Sequence, residues 1–262
     1  INTLKMDGIN LIGPDNGSMA CGEYGEGRMS EPSKIIKYTI DYLDKINFTP
    51  LKKYSALITS GPTREMIDPV RYISNESSGK QGHAIAKALF DLGAKTTLIS
   101  GPTSIESPVG PTIVKVKSAT EMSDACESLL PTDIAVCAAA VGDYKISNTN
   151  PKKIKKSGAK ISIELEENPD ILSRISKRNS KRPKLVIGFA AETENLIANA
   201  ELKLKEKGCD WILANDISNG EVIGKDKNKV HFISIDEKSE WDNMSKSDVA
   251  KKLSNKIVDY FA

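Results

Sequence analysis

From about residue 55 to the end of the chain, the hydrophobic residues follow two alternating patterns. Short continuous apolar runs are typical of strands buried in a parallel sheet, whereas apolar residues that recur every three or four positions are typical of amphipathic helices. The runs predict strands from Leu57, at 96–100, 134–138, 185–189 and 211–214, and a more exposed strand at 161–165. The helical patterns cover 82–92, a segment opened by the capping box Ser118-Ala-Thr-Glu121, a segment capped by Asn168 and begun by Pro169 and Asp170, and 193–207.

This alternation predicts an α/β protein with a doubly wound, mostly parallel, Rossmann-like sheet, because right-handed crossovers place helices on both sheet faces. Residues 230–235 and Trp241 predict a C-terminal β-hairpin, and the pattern at 247–261 predicts a closing helix. Ligands of such sheets bind beyond the carboxyl ends of the strands. The polar segments that follow the predicted strands are therefore the candidate sites of chemistry.

The first 46 residues have a different character. Residues 10–12 are typical of a strand end. The segment that follows, GPDNGSMACGEYGEGRMSEP, contains five glycines and no periodic apolar pattern, which predicts a loop. Pro32 begins a predicted helix. The predicted organisation is an N-terminal segment at 1–46, a linker at 47–54 and an α/β domain at 55–262. The first residue is Ile1 rather than Met, which suggests a fragment of a longer chain.

Composition excludes several classes of protein. The 37 basic and 35 acidic residues nearly balance, so net charge does not indicate nucleic-acid or membrane binding, and 39% apolar residues suffice for a core. The four cysteines are far apart and only two histidines are present, which argues against a zinc site or a disulfide framework. No apolar run approaches the roughly 20 residues of a membrane span. We expect a cytoplasmic protein.

The polar stretch at 61–82 follows the first strand of the domain and carries the most specific residue types. Its end, SSGKQG, leads directly into a helix, where backbone amides and Lys80 suit an anion. The stretch lacks GxGxxG, and Gln81 follows Lys80 where a Walker loop has Ser or Thr. A standard dinucleotide or P-loop site is therefore not expected, and an ordinary surface loop remains the alternative.

Two further segments supply charge near the same predicted crevice. The loop after the strand at 134–138 contains Asp143 and the lysines at 152, 153, 155 and 156, and small residues at 138–140 would let a flat base approach the backbone. Lys203 and Lys207 share one helix face at i and i+4. Each lysine group taken alone also fits a solvated surface. Together they suit a triphosphate, which needs cations and a carboxylate to hold a divalent ion.

The ordered motifs GPTREMIDPVRYISNESSGKQG, AAAVGDY, KIKK, NPDIL, GFAAET and KLKEKGCDWILAND resemble phosphopantothenoylcysteine synthetase, the second activity of the bacterial bifunctional coenzyme A biosynthesis protein. The resemblance runs from about Tyr54 to the end of the chain. Gly142 stands where the AAVADY form of one motif has Ala. The segment GSMACGEYGEGRMSEP resembles the substrate-binding flap of the partner enzyme, phosphopantothenoylcysteine decarboxylase, so that 1–46 would be its C-terminal remnant and 55–262 the ligase domain.

The resemblance implies that CTP activates 4'-phosphopantothenate as an acyl-cytidylate and that the amine of L-cysteine then displaces CMP. It implies a catalytic Asn75 that stabilises the activated acyl group, a catalytic Lys153 that offsets phosphate charge, and Asp143 as the contact to nucleotide or Mg²⁺. The nucleotide would also contact Cys137, Ala138, Ala139, Asn168, Pro169, Asp170, Ile171, Phe189, Lys203 and Lys207. It further implies a homodimer, with the region from Arg71 to Glu76 shared or close to the two-fold axis.

For the N-terminal segment, the resemblance implies that Cys21 is the decarboxylase proton donor, beside mobile glycines and Arg28. The flavin-binding segments, the base histidine and the PxMNxxM motif of that family do not occur in these residues. We therefore expect that this chain alone binds no FMN, and that FMN and decarboxylation require the rest of the decarboxylase part in a larger assembly.

Two other functions remain open at this point. A nicotinamide-dependent reductase would use a similar sheet, but GxGxxG is absent and Tyr144 is not followed by Lys four residues later. A nucleic-acid-binding module that uses KKIKK would bind with a steep salt dependence. The balanced net charge and the few aromatic residues argue against it.

Overall fold

The computed structural model describes residues 1, 3–4, 9–18, 24–46, 48–156, 158, 160–216 and 227–262. The chain divides into two units, Ile1–Phe48 and Thr49–Ala262. Among the described residues, no helix combines the length and the apolar character that a membrane crossing requires.

The described part of the first unit includes a β-hairpin and a longer helix. Strands β1 (Asp15–Ser18) and β2 (Tyr24–Arg28) pair antiparallel, and helix α1 (Pro32–Ile46) follows. The predicted helix start at Pro32 is confirmed. The prediction that the glycine-rich segment is all loop is wrong, because β1 and β2 pair through their backbones although their side chains show no apolar period. The predicted strand end at residues 10–12 is also wrong, since these residues lie outside any strand. Cys21 lies outside the described residues.

The second unit contains twelve described strands and five described helices. In chain order they are β3 (Ser55–Ser60), β4 (Arg64–Asp68), β5 (Arg71–Ser74), α2 (Lys80–Asp91), β6 (Lys95–Ser100), β7 (Thr112–Lys115), α3 (Ala119–Ser128), β8 (Ile134–Cys137), β9 (Tyr144–Ile146), β10 (Leu165–Glu167), α4 (Ile171–Ser176), β11 (Leu185–Glu192), α5 (Leu196–Lys207), β12 (Trp211–Asp216), β13 (Lys227–Ser234), β14 (Lys238–Ser245) and α6 (Lys246–Phe261).

Eight of these strands form one sheet in the order β7-β6-β3-β8-β11-β12-β13-β14. Six neighbouring strands are parallel: β7, β6, β3, β8, β11 and β12. The strands β13 and β14 add an antiparallel hairpin at one edge. The predicted fold class, with its C-terminal hairpin and closing helix, is confirmed. The chain leaves β3 toward one edge and returns to β8 on the other side, so the switch point of the sheet lies between β3 and β8.

Helices cover both faces of this sheet. Successive strand residues point to opposite faces, and because these residues are apolar, both faces are buried. On one face α2 and α6 bury Ile85, Leu89, Leu253 and Ile257 against Ile58, Val136 and Leu213. On the other face α3, α4 and α5 bury Met122, Cys126, Ile175 and Ala200 against Leu57, Ala135 and Ile212. The two apolar layers make the sheet doubly wound and leave its carboxyl edge to polar loops.

Three sequence predictions about the connections are corrected. The polar stretch after β3 is not a plain loop, since β4 and β5 pair as a hairpin within it. Residues 161–164 are exposed and lie outside any strand, and the short strand forms later, as β10 paired with β9. Asn168 does not cap α4. The cap is Asp170, whose side chain accepts a hydrogen bond from the Ser173 amide.

Candidate functional site

The loops that follow β3 and β8 are joined directly at the switch point. Pro62 and Ala140 form an isolated parallel bridge beyond the two strands. The Ala140 amide donates to the Gly61 carbonyl over 2.9 Å, and the Gly142 amide donates to Thr63 Oγ1 over 3.0 Å. Thr63 is fully buried. These contacts hold both loops at one edge of the sheet, where the predicted site lies.

The start of α2 is packed against the end of β3. Gly79 adopts a left-handed conformation with φ of 76° just before the helix, and its carbonyl accepts a hydrogen bond from Ser60 Oγ at 2.8 Å. A Cβ at Gly82 would lie 2.5 Å from Ser60 Cβ. Glycine is therefore required at Gly82 for the close approach that brings the helix amides to the crevice.

The crevice above the switch point consists of two adjoining cavities of about 530 and 390 Å³. They share five lining residues from one loop, one strand and one helix: Ala139, Val141, Asp143, Phe189 and Lys203. The larger cavity extends toward residues 75–82 and the smaller one toward residues 167–172. A ligand that fills both would contact the carboxyl ends of β3, β8 and β11.

Two asparagine side chains donate hydrogen bonds to the backbone of the loop that follows β8. Asn75 Nδ2 donates to the Val141 carbonyl over 3.1 Å, and Asn168 Nδ2 donates to the Gly142 carbonyl over 2.9 Å. The Asn168 amide also donates to the Asp143 carbonyl over 2.8 Å. The backbone around Asp143 is therefore held by side chains that both line the crevice.

Two lysines, Lys203 and Lys207, line the smaller cavity. Lys207 Nζ lies 2.6 Å from Asp170 Oδ2. Burial alone would raise the pKa of the Asp170 carboxyl, but hydrogen bonds from Lys207 and the Ser173 amide hold that pKa below its usual value. Burial lowers the pKa of the Lys203 ammonium, and the nearby Glu192 carboxylate acts in the opposite direction. Among the described residues, Lys203 has no carboxylate within ion-pair distance.

Most residues that the sequence indicated are brought together here. The larger cavity is lined by Asn75, Ala138, Ala139, Asp143, Phe189 and Lys203. The smaller one is lined by Cys137, Ala139, Asp143, Asn168, Pro169, Asp170, Ile171, Phe189, Lys203 and Lys207.

Lys153 is placed differently. It is exposed and lines neither cavity, and the neighbouring Ile154 amide donates to Asp68 of the β4–β5 hairpin. Its proposed contact with phosphate stays a prediction.

The lining residues of the larger cavity that were not assigned to the site from sequence include Gln81, Asn215 and Lys246. Asn215 stands at the carboxyl end of β12, which is a general signal for ligand contact in such sheets. Its Oδ1 is buried and accepts no hydrogen bond from the described residues. Because an unsatisfied buried acceptor is costly, Asn215 is a further candidate for ligand contact.

One carboxylate in the crevice has the chemistry to contact a magnesium ion that is held mainly by a phosphorylated ligand. No group of three or more His, Cys, Asp or Glu side chains that could hold a metal occurs in the described part of the chain. Mg²⁺ is commonly bound by one or two carboxylates together with substrate phosphates. Asp143 lines both cavities and supplies one such carboxylate.

Comparison with known proteins identifies the family of this chain. Residues 51–261 match the family model described as the DNA/pantothenate metabolism flavoprotein C-terminal domain. The chain belongs to this family. It is 43% identical, over its whole length, to the coenzyme A biosynthesis bifunctional protein CoaBC of Haemophilus influenzae, and 39% identical over 98% of its length to that of Bacillus subtilis. It spans 65% and 64% of the lengths of these two proteins.

Solved structures show the same relationship. The crystal structure of the C-terminal domain of a CoaBC protein superposes with a TM-score of 0.69 at 37% identity, covering 81% of this chain and 98% of that one. A Cab2 variant in complex with phosphopantothenate-cysteine superposes with a TM-score of 0.62 at 16% identity, covering 88% and 95%. The second likeness establishes the fold alone. The chain is thus similar to proteins named for coenzyme A biosynthesis, and its second unit is similar to the synthetase part of CoaBC.

Proposed function

We propose that the second unit ligates 4'-phosphopantothenate to L-cysteine with CTP, through an acyl-cytidylate. The observation that carries this proposal is the crevice at the switch point, where Asn75, Asp143, Lys203 and Lys207 converge from three separate segments. The family membership supports the pathway, and the amide, carboxylate and cations are the groups that such a reaction needs.

In the first step a carboxylate oxygen of 4'-phosphopantothenate attacks the α-phosphorus of CTP. The new oxygen–phosphorus bond forms as the bond to pyrophosphate breaks, so negative charge accumulates on the phosphates. Lys203 and Lys207 offset that charge from the helix side, and Lys153 offsets it from the lysine-rich loop. Asp143 would hold Mg²⁺ together with the phosphates, and the ion would neutralise charge there.

In the second step the uncharged amine of cysteine attacks the acyl carbon. The carbon–nitrogen bond forms, the bond from carbon to the CMP oxygen breaks, and the amine releases a proton to solvent. Asn75 stabilises the oxygen of the activated acyl group by hydrogen bonding. The cytidine lies against the small residues Ala138 and Ala139 and the ring of Phe189, with Cys137 and residues 168–171 on its other side.

The assembly is part of the proposal. The second unit forms a homodimer in which the region from Arg71 to Glu76 lies close to the two-fold axis. The first unit belongs to the FMN-dependent decarboxylase part, where Cys21 is the proton donor, and decarboxylation requires the full-length cytoplasmic bifunctional protein.

A nucleotide panel tests the proposed reaction. The purified chain is mixed with 4'-phosphopantothenate, Mg²⁺ and either CTP or ATP, and pyrophosphate release is measured with and without L-cysteine. We expect release that requires both 4'-phosphopantothenate and CTP, with phosphopantothenoylcysteine and CMP as products when cysteine is present. Pyrophosphate release that is independent of 4'-phosphopantothenate, or no release with any nucleotide, would contradict the proposal.

A further inference from the structure

The β4–β5 hairpin carries a fully buried carboxylate that the proposed chemistry does not use. The side chain of Asp68 is 0% exposed, and both of its oxygens are saturated with donors. Oδ1 accepts from the Val70 and Arg71 amides, each at 2.9 Å. Oδ2 accepts from the Arg71 guanidinium and, over 3.1 Å, from the Ile154 amide. The last contact joins the hairpin to the lysine-rich loop 86 positions along the chain.

The same loop is attached to the hairpin at neighbouring points. The Asn150 amide donates to the Ile67 carbonyl over 3.0 Å, and Thr149 Oγ1 donates to the Met66 carbonyl over 3.4 Å. The Arg71 guanidinium also donates to the Ile154 carbonyl over 2.6 Å. Residues 149–154 therefore run along β4, and Asp68 and Arg71 together hold both the amide and the carbonyl of Ile154.

We propose that Asp68 is a positioning residue, which ties residues 149–154 to the β4–β5 hairpin and so fixes the course of the segment that carries Lys153. The role of Lys153 on phosphate rests on the proposed function, whereas the tether itself does not. Asp68 touches neither cavity and acts only through the loop. Burial opposes its ionisation, but the hydrogen bonds from Arg71 and from the Val70 and Ile154 amides hold the pKa of Asp68 well below its usual value. The anion is therefore present at every pH at which the enzyme would work.

The isosteric change Asp68→Asn tests the tether, because an amide has one oxygen and one NH₂ group and cannot accept at both positions. Asp133→Asn is a matched control, since Asp133 also accepts from a backbone amide, that of Ser55, and pairs with Lys184, but at the amino ends of the strands. Hydrogen exchange of the Ile154 amide is measured in the wild type and in both variants. We expect protection in the wild type and in Asp133→Asn, and exchange at least about tenfold faster in Asp68→Asn. An Ile154 amide that exchanges at the unprotected rate in the wild type overturns the tether without any variant.

A double-mutant cycle tests whether Asp68 acts through Lys153. Pyrophosphate release is measured for Asp68→Asn, Lys153→Gln and the double variant. We expect each single change to lower kcat by about tenfold or more and the double variant to be no slower than Lys153→Gln, because residues that act through one another are not additive. Effects that multiply would show independent roles and overturn the inference. A wild type without pyrophosphate release would instead overturn the proposed function, while the exchange data would still decide the tether.

Discussion

The side-chain amide of Asn75 donates a hydrogen bond to the Val141 carbonyl over 3.1 Å, and so links the loop after β5 with the loop after β8. Val141 and Asn75 both line the larger cavity. The contact holds the Asn75 amide at the cavity that Asp143 also lines. The orientation of this amide is therefore set before any ligand binds, which is the condition for electrostatic stabilisation of a reacting group.

Replacement of Asn75 by alanine should lower the kcat of ligation by about 10²–10³, the usual cost of losing one preorganised donor to a developing charge. Because Asn75 is exposed, the melting temperature should change little. Asn179→Ala removes an exposed asparagine that lines neither cavity and should leave kcat unchanged. Equal activity in Asn75→Ala and Asn179→Ala would remove Asn75 from the site.

Replacement of Lys207 by glutamine should raise the KM for nucleotide by about tenfold, because one cation near the phosphates is lost and Asp170 is left without its 2.6 Å partner. The measurement is initial ligation rate against nucleotide concentration at constant ionic strength. Lys205→Gln, on the same helix but outside both cavities, is the control and should keep the wild-type KM. A shared rise in both variants would indicate only a general effect of charge.

Alanine at Gly82 should lower the free energy of unfolding by about 1–3 kcal/mol, because the new methyl group would meet Ser60 Cβ at 2.5 Å and the Thr59 carbonyl at 3.0 Å. Alanine at Gly142 should be tolerated, since the nearest atom to its Cβ would lie at 3.6 Å. Urea denaturation of both variants measures the difference. If Gly82→Ala were as stable as Gly142→Ala, the close packing of α2 on β3 would be wrong.

Acidification should destabilise the wild-type chain through His83. Burial lowers the pKa of this imidazole from its ordinary 6.5, although a hydrogen bond with the Gly79 carbonyl partly offsets the effect. Between the lowered folded pKa and 6.5 the unfolded chain binds more protons, so stability falls as the pH drops through 6.5. The free energy of unfolding, measured from pH about 7.5 to about 5, should decline less steeply in His83→Phe. Parallel pH curves for the two proteins would show that His83 titrates normally in the folded state.

The sequence patterns predicted the elements that form the sheet and its helices, because burial on both faces demands continuous apolar strands and one apolar stripe per helix. Ser118 caps α3 as its capping box predicted, accepting from the Glu121 amide. The short pairs β4–β5 and β9–β10 were missed because none of these strands shows a strong apolar period. β5 and β10 are exposed along their length, the buried positions of β4 are the polar Glu65 and Asp68, and β9 has only three residues. The edge strand β7 was missed because it has only four residues, which are too few to show a clear apolar period.

By itself, the sequence determined the fold class and which loops carry the polar chemistry, since local periodicity and residue type are properties of the chain alone. Only the tertiary structure decided how those loops meet. Asp170 and Lys207 are 37 positions apart, and Asp68 and Ile154 are 86 apart, yet each pair is in direct contact. Such contacts depend on strand order and on how the hairpin folds back, and neither leaves a periodic signal in the chain. For this reason Lys153, which the motifs assigned to the site, lies on a segment whose course is fixed by a buried carboxylate in another loop.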